Sequence, residues 1–504
     1  MIRPATSALW RAAASFHPAA MSPFPRRNYR WELISACFLP FAIACVEGGV
    51  IGVLAQKAFL SREPVASQLS PMVRDLIVAV LTSAPALTNI TSIFWTRILH
   101  GRDRVRATNL MQLAVLACVA VIACAPFTVA GVFMLVSAML AARCFLTGII
   151  SARTDLWRAN YPRHDRARVT GKLTIIVTLV VSMNALLIGA AMDIPVLFGD
   201  GADAAPVGGH AFRFVYALSI VLALVGVWAF SHVRMRRRAA HLRAEARHAA
   251  AGPEHPASAR AMLRVLRNDK HYRAFMAAQF ILGIPNLAAT PVFVIALEDH
   301  FRLDYAPSII LTQVIPVSVV PILVIPLWAR MLDRMHIIRF RVYHSWVFVF
   351  ANLLMGVAFM ADSLWLVIVS RIILGAAFGG GMLAWNLGHH DFASRELASI
   401  YMGIHVTLTG VRGVFAPFLG TLLYSGWVLT TPPTPPTPAT PLSHFAPPTS
   451  SDLSSSFLDR LLHFEGLNWG AFFVLGAFSI AGAIMFNRLS RAMRHVSRAA
   501  PAHD

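Results

Sequence analysis

The chain has 504 residues, 57% of them hydrophobic and only 13% charged, with 44 Lys and Arg against 24 Asp and Glu for a formal charge of +20. Soluble domains carry about 25% charged residues, so a mean hydropathy of +0.62 over this length excludes a soluble globule and makes a polytopic membrane protein the default. The five cysteines (Cys37, Cys45, Cys118, Cys124, Cys144) all lie in apolar stretches with no CxxC pair and no His/Cys cluster at metal-ligand spacing, which excludes a disulfide scaffold and a zinc module.

A membrane-spanning helix takes about 20 mostly apolar residues, and twelve such runs follow one another, with cores at 33 to 56, 76 to 95, 108 to 127, 131 to 152, 172 to 192, 212 to 231, 273 to 297, 307 to 328, 342 to 361, 363 to 386, 399 to 425 and 467 to 487. Ahead of them, residues 1–30 read as a cytoplasmic tail. The opening MIRPATSALWRAAASFHPAA lacks the uninterrupted apolar region and cleavage site of a signal peptide, and Met21, directly before helix 1, offers an alternative start.

Positive charge tests the helix count, because cytoplasmic loops hold the excess of Lys and Arg. With both termini inside, the cytoplasmic segments hold 35, among them Arg330, Arg334, Arg339 and Arg341 between helices 8 and 9; the opposite side holds six, Lys57, Arg62, Arg74, Arg213, Arg302 and Arg460. Three more, Arg143, Arg371 and Arg412, fall inside helices. A miscounted helix would destroy this asymmetry. It also accounts for a sequence pI near 11.0 without nucleic acid, since the charge sits in short segments between apolar runs rather than on one soluble face.

The basic segment 232–271, with its RMRRR run, separates a six-helix half at 31–231 from a second at 272–488, and a juxtamembrane run of this kind meets anionic lipid headgroups. The loop 428–456, rich in Pro and Thr, cannot build a packed core and is expected to stay unstructured on the outer side. Residues 489–504 form a second cytoplasmic tail. The halves also repeat: Arg143 and Arg371 are 228 residues apart, and the loops WTRILHGRDRVRA and WARMLDRMHIIRF begin alike at a shift of 233.

No nucleotide-binding, zincin, nucleophile-elbow or dinucleotide motif occurs, so the expectation is a protein without enzymatic activity, cofactor or metal. Ionisable groups inside helices are the remaining signal, because their burial is costly enough to imply function. Glu47, in ACVEGGVIG on helix 1, is the one carboxylate placed deep in the membrane and is the proton-coupling candidate; the alternative is a permanent salt bridge with Arg143. Helix 11 sets His405, Thr409, Arg412 and Ala416 on one face, and helix 7 sets Gln279, Gly283, Asn286 and Thr290 at the same spacing. Arg143, Arg371, Arg412, Thr409, Gln279 and Asn286 are therefore the cavity candidates, with His405 a second titratable group. His389-His390-Asp391 reads as a solvated helix end, since adjacent helical residues point apart.

Twelve helices in two six-helix halves with a long basic central loop resemble the major facilitator superfamily. Ala329-Arg330-Met331-Leu332-Asp333-Arg334 is similar to that family's loop after helix 8, Arg371 and Gly375 resemble its R-x-x-x-G pattern, and Ala416-Pro417-Phe418-Leu419-Gly420 resembles the hinge associated with antiporters. The resemblance implies alternating access of two rocking halves about a midplane site, often driven by protons, with Asp333 and Arg334 in a gating loop. Three Arg against one Glu favour an anionic solute. The expectation is a monomeric inner-membrane secondary transporter of a small, anionic solute, surrounded by lipid and coupled to protons. The rival is a transporter-like membrane scaffold or sensor that moves nothing.

Overall fold

The computed structural model describes residues 15–20, 23–194, 210–240, 242–243, 259–393, 398–428 and 463–499. The Pro/Thr loop lies almost wholly outside them, as does the start of the chain that bears on Met21. Twelve described helices are long and apolar enough to cross a membrane: α1 (Pro25–Leu60), α2 (Pro71–Thr91), α3 (Arg104–Cys124), α4 (Val129–Asn160), α5 (Arg168–Asp193), α6 (Ala211–Ser231), α7 (Lys270–Phe301), α8 (Tyr305–Leu332), α9 (Ile337–Met360), α10 (Leu364–Trp385), α11 (Ile400–Ser425) and α12 (Gly470–Met493). The protein is a multi-pass membrane protein. A two-residue antiparallel pair, β1 (Trp427–Val428) with β2 (His463–Phe464), joins the two ends of the Pro/Thr segment.

Helix starts are set by side chains that satisfy otherwise orphaned amides, a strict need where no water is at hand. Ser70 Oγ accepts from Val73 N at 3.4 Å, with Pro71 in the first helical position. Asp103 accepts from Val105 N at 2.9 Å, and Asp269 from Tyr272 N at 2.8 Å. Asp391 accepts from Ile337 N at 2.7 Å and so caps α9 from the far side of α10. That places one member of the His389-His390-Asp391 group in helix capping; the two histidine side chains are outside the described residues.

Within the first half α3 packs on α4 and α6, and within the second α9 packs on α10 and α12. The halves meet through α2 with α11, α5 with α8, and α1 and α2 with α7. A side chain on Gly189 of α5 would stand 2.7 Å from Ala306 Cα on α8, so only glycine permits this crossing.

Helices α1 and α8 depart from regular geometry within their spans. α1 breaks between Pro40–Cys45 and Gly48–Leu54, where Glu47 adopts an extended backbone, φ −75° and ψ 136°. α8 carries a π-helical stretch at Ile310–Val319 around Pro316. Irregular backbone at this depth persists only where protein or a cavity covers it.

One expectation is corrected. Helix α9 begins at Ile337 rather than near 342, so Arg341 is not a loop cation but an intramembrane one, 2% exposed. The alternation His336-Ile337-Ile338-Arg339-Phe340-Arg341 reads as a charged loop, yet on the helix Arg339 faces out and Arg341 faces in.

Candidate functional site

The sequence-derived candidates separate into three places. In the first half, the break in α1 presents the Glu47 carboxylate to α4, where Arg143 Nη1 donates to Oε1 at 3.0 Å and to the Val46 carbonyl at 3.4 Å. The unwound turn leaves that carbonyl facing sideways, so one guanidinium serves both an exposed backbone group and a carboxylate. Glu47 and Arg143 retain 21% and 14% side-chain exposure, so the pair is only partly buried. Thr147 sits one turn on, its hydroxyl donating to Arg143 O at 3.1 Å.

Arg371 stands elsewhere. Its Nε donates to Leu311 O at 2.8 Å and its Nη2 to Thr312 O at 3.3 Å, both carbonyls of the π-helical stretch of α8, and its guanidinium lies 4.0 Å from the Phe293 ring centroid. A π turn disrupts the regular ladder and exposes carbonyls. Arg371 satisfies them.

The third place is an open cavity of about 480 Å³ lined by residues of α7 to α11. Gln279, Asn286 and Arg412 line it, joined by Arg341 from the start of α9. Arg412 Nη1 donates to the Gln279 carbonyl at 2.8 Å and Nη2 to Thr409 Oγ1 at 3.0 Å. Arg341 Nη2 donates to Gln279 Oε1 at 2.5 Å and Nη1 to His344 Nδ1 at 3.0 Å. Guanidinium only donates, so His344 Nδ1 accepts and its Nε2–H is given to Ala377 O at 2.7 Å. Both cations converge on one glutamine. His405 is buried beside the cavity with its ring edge-on to Trp385, centroids 5.5 Å apart.

Gly283 explains how Arg412 enters: a Cβ there would overlap the guanidinium itself. Gly283→Ala is therefore expected to cost about 1–3 kcal/mol by overpacking, read as a lower thermal midpoint of the purified protein. Arg412→Ala in the same chain should recover most of that loss. Purely additive losses would contradict the crowding.

Toward the end opposite the termini, polar contacts bridge the halves. Lys57 on α1 pairs with Glu298 on α7. The Asp193 carboxylate at the end of α5 accepts from Tyr305 N at 2.8 Å and Ala306 N at 2.7 Å, capping α8 across the interface. At the end carrying the termini the ion pairs Arg104 with Asp155 and Arg238 with Asp103 stay on the first-half side. Asp333 and Arg334 are exposed there.

Lys57, Glu298 and Asp193 were not singled out from sequence, since near a helix end a charge is ordinary. Arg341 did leave a signal. Arg341, Ser345, Phe348 and Asn352 repeat at the spacing that marked helix 11, and all four are buried.

No curated protein matches the chain in sequence. Solved structures match its fold. The xylose transporter XylE from E. coli in a partially occluded inward-open conformation aligns with TM-score 0.59 at 12% identity, over 93% of this chain and 98% of that one. A variant of the nucleoside transporter NupG aligns with TM-score 0.58 at 13% identity, over 92% and 100%. A POT family transporter in complex with 5-aminolevulinic acid aligns with TM-score 0.57 at 14% identity, over 92% and 96%. The family model of the Major Facilitator Superfamily matches residues 58–417, and with twelve helices in this arrangement the chain belongs to that superfamily and has a transporter fold.

Proposed function

We propose that the protein is a secondary active transporter that moves a small solute by alternating access and couples the movement to protons through Glu47. The observation that carries this reading is the Glu47–Arg143 pair at the break in α1: a carboxylate within a membrane-spanning helix, partly exposed and held by one cation. A matching structure is described as a D-xylose–proton symporter, which favours proton coupling here. The charge asymmetry favours an inner membrane with both termini in the cytoplasm.

In this reading Lys57–Glu298 and the Asp193 cap hold the outer side closed, while the solute cavity communicates with the cytoplasm. Arg371 holds α8 in shape rather than touching solute. In reconstituted vesicles, an imposed proton gradient is expected to drive accumulation of at least one small solute from a chemically varied panel, with a protonophore abolishing it. Accumulation indifferent to the protonophore would defeat the coupling.

Asp333 is assigned to gating: it is exposed in the loop after α8, where a carboxylate would be attracted to helix N-termini if the first half closed on it. Asp333→Asn is expected to slow turnover several-fold, about 1 kcal/mol, with solute affinity unchanged. Lost affinity at an unchanged turnover rate would place Asp333 in the site instead.

A further inference from the structure

The cavity among α7 to α11 holds two full positive charges, and no Asp or Glu lines it. Arg341 and Arg412 are 2% and 5% exposed, and among the described residues no carboxylate pairs with either. Unpaired cations in a membrane interior are costly, and a protein that keeps two of them facing one space gains only when an anion enters.

The donor inventory points the same way. A guanidinium has five N–H donors, and the protein engages each cation through two nitrogens only, Arg341 on Gln279 and His344, Arg412 on Gln279 and Thr409. Both Nε atoms are buried without a partner, as is Asn286 Oδ1. Both arginines line the cavity and both hold Gln279, so the two guanidinium groups stand together at one end of it. The rest of the wall is apolar, formed by Leu282, Leu287, Val317, Phe348, Phe378 and Trp385. Phe348 and Phe378 pack with centroids 5.9 Å apart. A free phosphate would need further polar partners on its other faces, and this wall has few to give.

We infer that this cavity binds an organic carboxylate with an apolar, preferably aromatic, body, its carboxylate between Arg341 and Arg412 and its body against Phe348, Phe378 and Trp385. As the solute class of the transporter this rests on the transport reading; as a binding site it stands apart from it. His344 acts as a positioning residue: by accepting from Nη1 it fixes the plane in which Arg341 offers its remaining donors.

The test is equilibrium binding to the purified full chain in detergent, followed by calorimetry and by the fluorescence of Trp385, with a Trp385→Phe control. The probes are acetate, isovalerate, phenylacetate, phenylacetamide and inorganic phosphate. Affinity is expected to rise from acetate through isovalerate to phenylacetate, with phenylacetamide and phosphate weaker than phenylacetate by at least about tenfold. Arg341→Gln and Arg412→Gln should each lower phenylacetate affinity about tenfold or more. If Arg341→Gln fails to fold, Arg341→Lys keeps the charge without the planar fork and should still bind several-fold more weakly than the wild type. The inference is overturned by the absence of saturable carboxylate binding, by equal affinity for the amide, by binding of phosphate alone, or by indifference to both arginines. Binding as expected without any uptake in vesicles would instead defeat the transport reading and leave the site intact.

Discussion

Glu47→Gln is expected to reduce proton-driven accumulation in reconstituted vesicles to the level of protein-free vesicles, while exchange of solute down its own gradient continues. The amide mimics the protonated carboxyl, so the neutral form that permits reorientation is present but no proton is ever released. Coupling ends and binding survives. The folded state should survive too, because removing one partner of a fully buried pair costs about 3–5 kcal/mol, whereas Glu47 and Arg143 are 21% and 14% exposed and so only partly buried. A melting curve measured beside the transport assay separates the two roles. If Glu47→Gln melts far below the wild type yet still accumulates solute against its gradient, the pair is structural and His405 becomes the coupling candidate.

Reversing one charge of the pair between α1 and α7 should be nearly as damaging. Lys57 joins Glu298 across the two halves with side chains 12% and 27% exposed, so Lys57→Glu sets two carboxylates against each other where the halves meet at the end opposite the termini. Transport is expected to fall at least about tenfold, the equivalent of roughly 1.4 kcal/mol, with solute affinity in detergent little changed. Lys57→Glu combined with Glu298→Lys restores opposite charges and should recover activity to within a few-fold of wild type. That recovery is the coupling a double-mutant cycle isolates. Two additive losses would mean that the pair takes no part in closure.

The spans were legible from sequence because a bilayer sets a minimum apolar length for every helix that crosses it, and runs of twenty apolar residues are hard to mistake. Their ends were less so. Arg341 shows why: a cation within two turns of a helix start looks the same whether it faces headgroups or a cavity, and neighbouring helices α7 and α10 decide which. Gln279, Asn286 and Arg412, marked by the spacing on helices 7 and 11, line one space, with Thr409 holding Arg412 beside it. Depth along the helix did not identify neighbours, however. Arg371 lies at a depth comparable to Arg412 by residue count, yet it faces the α8 carbonyls, because only folding reveals that α8 contains a π-helical stretch needing those donors. The break in α1 was likewise hidden, since Glu47-Gly48-Gly49 is compatible with a continuous helix until α4 supplies Arg143.

Alternating access is the claim on which the rest depends, and paired spin-label distances test it most directly. In a cysteine-free background, Ser67 and Ala361 report on the end opposite the termini and Thr154 and Arg330 on the end that carries them; all four are exposed. Each pair is expected to give two distance populations in lipid that exchange in opposite directions, the outer distance lengthening as the inner one shortens. Lys57→Glu should deplete the population with the short outer distance. A single distance at each end, unmoved by Lys57→Glu and by pH, would contradict the account.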